Sequence, residues 1–266
     1  MTQMSEPAVL YETSGAGMTP HVAVVTINRP HARNAIDGAV ARALDDIVKR
    51  TEADPDIWTV LLTSAGGKAF SAGADLKAVA AGEGDSIATP DGGFAGFTSA
   101  LRSKPWIAAV EGYALGGGCE IALACDLIVA ARDASFGLPE VRRGLIAAAG
   151  GLYRLPRVLP PRRALELIMT GAPVEAAEMH RLGVVSRLAE PGDALGQALV
   201  LAAGINASAP LAVRESLGIA RRAISRDEAE MQALSDEAIA RVAQSEDFRT
   251  GVRAFVNKQA PEWNAR

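Results

Sequence analysis

The chain has 266 residues, 49% of them hydrophobic, and a formal net charge of -4. That length and apolar content can bury one sizeable core, and the slightly acidic balance offers no basic face for nucleic acid. Two cysteines, Cys119 and Cys125, and three scattered histidines, His21, His31 and His180, give neither a disulfide framework nor the ligand spacing of a metal site.

The N-terminal stretch Met1 to Pro20 lacks the basic start and apolar centre of a leader. The first regular element is predicted at Val22 to Ile27, a short β-branched run closed by Asn28-Arg29-Pro30. A helix is predicted over Ala39 to Glu52, with apolar residues at Val40, Ala43, Leu44, Ile47 and Val48, Asp37 as N-cap and Asp54-Pro55 as stop. Strands follow at Thr59 to Thr63, Ile107 to Val110 and Leu127 to Ala130. Strand and helix signals alternate, which predicts an α/β fold. Between Leu76 and Ser99 the composition loosens into a loop, read as a pocket wall or surface. The best apolar stretch is broken by Glu111, Glu120 and Asp126, so no membrane span is expected and a reduced cytoplasmic compartment fits. After about residue 200 the strand signals stop. Helical spacing over Leu211 to Ile224 and Asp227 to Ala243 predicts an α/β core over residues 1–200 and a helical region over 201–266.

Three motifs carry candidate chemistry: Phe70-Ser71-Ala72-Gly73-Ala74-Asp75-Leu76-Lys77, Gly116-Gly117-Gly118-Cys119-Glu120 and Phe136-Gly137-Leu138-Pro139-Glu140. Glycines opening a helix leave amide N–H groups free to polarise a carbonyl oxygen, and they equally allow close helix packing. By itself Glu120 reads either as an acid/base group or as a first-turn carboxylate favouring its helix dipole. Glu140 reads as its partner or as a turn residue pairing with Arg142 or Arg143.

Taken together with Ile107-Ala108-Ala109-Val110-Glu111-Gly112-Tyr113-Ala114-Leu115, these motifs resemble the enoyl-CoA hydratase/isomerase (crotonase) superfamily, its hydratase branch in particular. Weaker matches at Leu182-Gly183-Val184-Val185 and Ala254-Phe255-Val256-Asn257-Lys258 extend the resemblance over most of the chain. It implies a crotonase-like spiral of ββα units followed by a helical trimerisation region, assembled as a homotrimer or a hexamer. It implies an oxyanion hole from the Ala74 and Gly117 amides, with Glu120 activating water and Glu140 supplying a proton to C2. The substrate would be an acyl-CoA thioester, in metabolism resembling fatty-acid β-oxidation, with no cofactor beyond its own coenzyme A. Ala72, Asp75, Leu76 and Gly116 are expected against the substrate, with Arg33 and Lys258 (and Arg29 near the same turn) toward the CoA phosphates.

One departure bears on specificity. Hydratases of this type often carry Pro-Gly-x-Gly-Gly-Thr-Gln after the second glutamate, whereas this chain has Ile146-Ala147-Ala148-Ala149-Gly150-Gly151-Leu152-Tyr153. Relatives resembling carnitinyl-CoA dehydratase show similar apolar replacements, so a dehydratase or an enoyl-CoA isomerase acting on another acyl-CoA is the alternative, with a non-catalytic CoA-binding homologue behind it. Tyr153 is expected in the core more than in a pocket wall.

Overall fold

The computed structural model describes residues 6–13 and 19–266. Of the Met1 to Pro20 stretch, residues 1–5 and 14–18 therefore lie outside the described residues. In chain order the elements are β1 (Val9–Thr13), β2 (Val22–Ile27), α1 (Gly38–Ala53), β3 (Thr59–Ser64), β4 (Ala69–Ser71), α2 (Leu76–Ala78), β5 (Ala88–Thr89), β6 (Gly93–Phe94), β7 (Trp106–Val110), β8 (Tyr113–Leu115), α3 (Gly117–Ala124), β9 (Leu127–Ala131) and β10 (Ser135–Gly137). They continue with α4 (Gly151–Val158), α5 (Pro161–Thr170), β11 (Val174–Glu175), α6 (Ala176–Arg181), β12 (Arg187–Ala189), α7 (Ala194–Asn206), α8 (Pro210–Ala220), α9 (Glu228–Ala243) and α10 (Glu246–Asn257).

Two sheets organise the chain. The larger runs β1-β2-β3-β7-β9-β12 and is parallel except for β1; the smaller runs β11-β10-β8-β4 and is parallel except for β11. Each of the pairs β3/β4, β7/β8 and β9/β10 gives its first strand to the large sheet and its second to the small one, then enters helix. The result is a spiral of ββα units.

Strand alternation decides what each face buries. Val60, Leu62, Ala108, Val110, Ile128 and Ala130 point into the core between the sheets, where they meet Phe70, Ala114 and Phe136. Their neighbours Leu61, Ile107, Ala109 and Val129 point the other way, onto Ala194, Ala198 and Ala202 of α7. Small alanines on the helix let it lie close on β-branched strands. Helix α1 begins where the sequence predicts it, with the Val40 N–H donating to Asp37 Oδ1 at 3.0 Å. Its last turn is closed by buried Lys104, whose Nζ donates to the carbonyls of Thr51 and Asp54.

Four expectations are revised. Residue 200 falls inside α7, which packs on β3, β7 and β9, so the helices after it continue from a helix already part of the core. The helix expected over Leu211 to Ile224 spans Pro210–Ala220; Arg221 then binds Asp126, at 2.7 Å, and the chain turns. A further helix, α10, was not predicted; Ser245 caps it by accepting from the Phe248 N–H at 3.0 Å. Finally, Leu76 to Ser99 is not a loop throughout: it forms α2, a π turn over Val79–Glu83, a 3-10 turn over Gly84–Ile87 and the β5–β6 hairpin. Among the described residues no single helix is long and apolar enough to cross a membrane.

Candidate active site

The small sheet brings the three motifs together. Its parallel strands β4, β8 and β10 lie side by side in the order β10-β8-β4. All three chains therefore leave the sheet at the same edge, the carboxyl ends where ligands of α/β sheets commonly bind. From β4 comes Ala72-Gly73-Ala74-Asp75, from β8 comes Gly116 and α3, and from β10 comes Leu138-Pro139-Glu140 in a 3-10 turn over Pro139–Arg143. The Gly116 N–H donates to the Gly137 carbonyl at 2.9 Å and ties the second exit to the third.

These exits line one cavity of about 1000 Å³, large enough for a cofactor-sized ligand. Ala72, Ala74, Asp75, Leu76, Gly116, Gly117, Glu120, Glu140 and Arg33 all face it, so nine of the ten residues expected in the site are brought together. The tenth, Lys258, is exposed at the end of α10 and does not line it. Asp75 borders the cavity, but its carboxylate is engaged: it pairs with Arg29 at 3.1 Å and accepts the Lys77 N–H, also at 3.1 Å. Arg29 is likewise committed, to Asp75, to Asp37 and to the Ala35 carbonyl. Both have structural work that the motif does not reveal. Arg33, His31 and Lys77 are exposed cations or potential cations on the same cavity, and Lys77 and His31 were not anticipated there.

Two backbone amides remain unspent in the cavity wall. Ala74 bridges to Ile36 in parallel fashion, with the bonds made by its neighbours: Ile36 N–H donates to the Gly73 carbonyl and Asp75 N–H to the Ile36 carbonyl. Among the described residues the Ala74 N–H has no acceptor. Gly117 is the first residue of α3, and its N–H is one of the orphans every helix start presents. Gly73 brings the two close. Its φ is +87°, and a methyl on it would stand 2.7 Å from the Gly117 nitrogen. The Phe94 ring, from the β5–β6 hairpin, also stands against Gly117, 2.5 Å from where a methyl on it would lie.

Glu120 is 3% exposed. Its Oε1 accepts the Gly151 N–H at 2.9 Å. Burial holds its carboxyl up at about 7, against the pull of the Gly151 and Ala149 amides and of Arg154, with Glu140 adding to the rise. Glu140 is half-buried and also raised by burial, with Arg143 opposing; its Oε2 is enclosed without a hydrogen-bond partner among the described residues. Neither glutamate is therefore a surface turn residue, and Glu140 does not pair with Arg142, whose Nε donates to the Thr170 carbonyl. Two carboxyls raised together in one cavity can share a proton near neutrality.

Ile87, Phe94, Leu145, Ile146 and Tyr153 supply apolar wall. Tyr153 is 47% exposed, which corrects its expected place in the core. It is the second residue after Gly150-Gly151, in the first turn of α4, where it lines the cavity. Among the described residues no group of three or more His, Cys, Asp and Glu side chains stands together as a metal site, and both cysteines are buried and free.

The family model described as enoyl-CoA hydratase/isomerase matches residues 17–266. A carnitinyl-CoA dehydratase of Salmonella arizonae is 43% identical over 244 residues, 90% of this chain and 93% of that protein. A mevalonyl-coenzyme A hydratase of Aspergillus fumigatus is 40% identical over 252 residues, 92% of each chain. The crystal structure of an enoyl-CoA hydratase from Mycobacterium tuberculosis superposes with a TM-score of 0.92 at 44% identity, covering 98% of this chain and 100% of that one.

Proposed function

Because the chain belongs to the enoyl-CoA hydratase/isomerase family, we propose that it is an enoyl-CoA hydratase, a hydro-lyase that reversibly adds water across the C2–C3 double bond of a 2-enoyl-CoA thioester. The observation that carries this reading is the pair of raised carboxyls, Glu120 and Glu140, in one cavity with the unspent amides of Ala74 and Gly117.

Hydration needs a base for water, an acid for C2 and a sink for the charge that develops on the thioester oxygen. In our reading Glu120 takes a proton from water as its oxygen bonds to C3. The C2–C3 π electrons move onto C2 and the thioester, whose oxygen lies between the two amides as an enolate. Glu140 then delivers its proton to C2. The pair carries one proton before and after, and dehydration of a 3-hydroxyacyl thioester runs the same steps backwards. Loss of that single proton at high pH, or addition of a second at low pH, stops both directions. This chemistry is acid–base throughout and calls on no cofactor besides the coenzyme A of the substrate.

The exposed cations Arg33 and Lys77 and the nearby His31 suit the CoA phosphates at the cavity mouth. The apolar side chains that α10 leaves exposed, Phe255 at 86% and Val256 at 72%, support a homotrimer or a dimer of trimers with this helix at an interface. Such an assembly would give Lys258 a neighbour's surface to meet. A cytoplasmic location is part of the same proposal.

Tyr153 and Ile146 on the acyl side favour one second reading, dehydration of an acyl group other than a plain alkyl chain, as the name of the Salmonella arizonae relative suggests for that protein. Loss of enoyl absorbance across a panel of 2-enoyl-CoA thioesters, with product analysis, tests both. Turnover of short alkyl enoyl-CoA supports the first reading; turnover confined to substituted acyl groups moves the assignment to the second; binding without turnover of any panel member contradicts both.

A further inference from the structure

Glu120 is held by the backbone turn that precedes α4, and that turn is itself held by one side chain. Glu120 Oε1 accepts the Gly151 N–H, and the neighbouring Ala149 amide also favours its charged form. Arg154, one turn into α4, folds back over the same residues. Its Nη1 donates to the Ala149 carbonyl at 2.9 Å, and its Nη2 donates to the Thr98 carbonyl, just after the Phe94 hairpin that walls the cavity. Gly150 makes room for it. A methyl at that position would fall 1.8 Å from Nη1, and its φ of +124° is itself closed to other residues.

Charged and titratable groups approach Glu120 from α3, α4 and the Pro139–Arg143 turn. Glu140 faces it from the Pro139–Arg143 turn, with Arg143 beside Glu140; Cys119 adjoins it on α3; Arg154 approaches from α4, with Arg157 and Tyr153 beside the guanidinium. Of these, Arg154 is the cation that both acts on the Glu120 charge and bonds the turn that clamps it.

Resting on the reading of Glu120 as an acid/base group, we propose that Arg154 is the positioning residue of this site: its guanidinium bolts the 149–151 turn to the Thr98 wall and so fixes where Glu120 stands and how readily it ionises. The planar fork holds the two carbonyls from two separate nitrogens at a fixed spacing, a geometry that a single ammonium nitrogen does not reproduce. The charge and the bridge are therefore separable by substitution.

The test titrates Glu120 directly, by carboxyl carbon NMR with the resonance assigned from its loss in Glu120→Gln, in the wild-type chain, Arg154→Gln and Arg154→Lys. The pH profile of kcat/KM with a 2-enoyl-CoA is measured alongside. Arg154→Gln should raise the Glu120 midpoint, and the alkaline limb of kcat/KM should move up with it. Arg154→Lys should keep the midpoint and lose at least about tenfold in kcat through the loosened turn. An unmoved midpoint in folded Arg154→Gln overturns the proposal. If thermal melting finds that variant unfolded, Arg154→Lys decides: wild-type kcat overturns the proposal, and a lowered kcat with an unmoved limb supports it. The titration needs no turnover, so a chain that hydrates no enoyl-CoA would overturn the hydratase reading while the midpoint still decides Arg154.

Discussion

Replacing Glu120 with glutamine should abolish activity and stabilise the fold, by an amount that depends on pH. An ordinary glutamate ionises near 4.5, whereas burial holds Glu120 at about 7. The folded protein thus keeps a proton that the unfolded chain has already released. The Glu120 contribution is fully present below pH 4.5 and is lost as pH rises to about 7, a loss of about 3 kcal/mol above that pH. Glutamine never ionises and escapes it. Its oxygen can still accept the Gly151 N–H, but its NH2 group opposes the Ala149 amide and gives back about 1 kcal/mol. The net gain above pH 7 is about 2 kcal/mol, or roughly 4–8 °C in Tm for a chain of this size. Thermal or urea unfolding of both proteins at fixed concentration between pH 4.5 and 8 measures it. The difference should start slightly negative and climb through this window. A flat difference, or a glutamine variant less stable than wild type at pH 8, would refute the burial argument for Glu120.

Other perturbations read separate parts of the site. Glu140→Gln should lower kcat by about 10²–10⁴, measured by loss of enoyl absorbance, since the group that protonates C2 is gone. Gly73→Ala, which drives a methyl toward the Gly117 nitrogen from a backbone conformation unsuited to alanine, should lower kcat by about 10²–10³ with a smaller change in KM. The pH profile of kcat/KM should be bell-shaped, its alkaline limb at about 7, where the Glu120–Glu140 pair gives up its single shared proton. Far from the cavity, Lys104→Met leaves the Thr51 and Asp54 carbonyls without their buried donor and should destabilise by about 1–3 kcal/mol in urea unfolding.

What the sequence made legible depended on how local the determining physics is. Strands β2, β3, β7 and β9 are β-branched or apolar runs bounded by polar breaks, and α1 carries its own cap at Asp37, so both could be read from neighbours alone. Strands β4, β8 and β10 are three residues each, too short to show a period, yet they are what sets the three motifs side by side. Helix α4 contains Pro156 and starts from two glycines, residue types that weaken any local helix signal. The end of α8 is fixed by the Arg221–Asp126 pair across 95 residues of chain, invisible to periodicity. In the site, motif resemblance pointed to the glutamates and to the amide-bearing residues. It did not reveal that Asp75 is tied to Arg29, that Tyr153 faces the cavity, or that Arg154 crosses back to Thr98, because each depends on a partner distant in sequence or on which way a helix turns. An arginine one turn after a glycine pair was the available signal for the last of these.

If Glu120 and Glu140 together add the elements of water to C2 and C3 of an enoyl thioester, each element can be followed by running the reaction in ¹⁸O-labelled heavy water and reading the product by mass and NMR, for wild type, Glu120→Gln and Glu140→Gln. Wild type should give one ¹⁸O hydroxyl at C3 and one deuterium at C2, and either variant should lose both. A product whose double bond has moved without gaining ¹⁸O, or full incorporation in either variant, would rule out this division of roles.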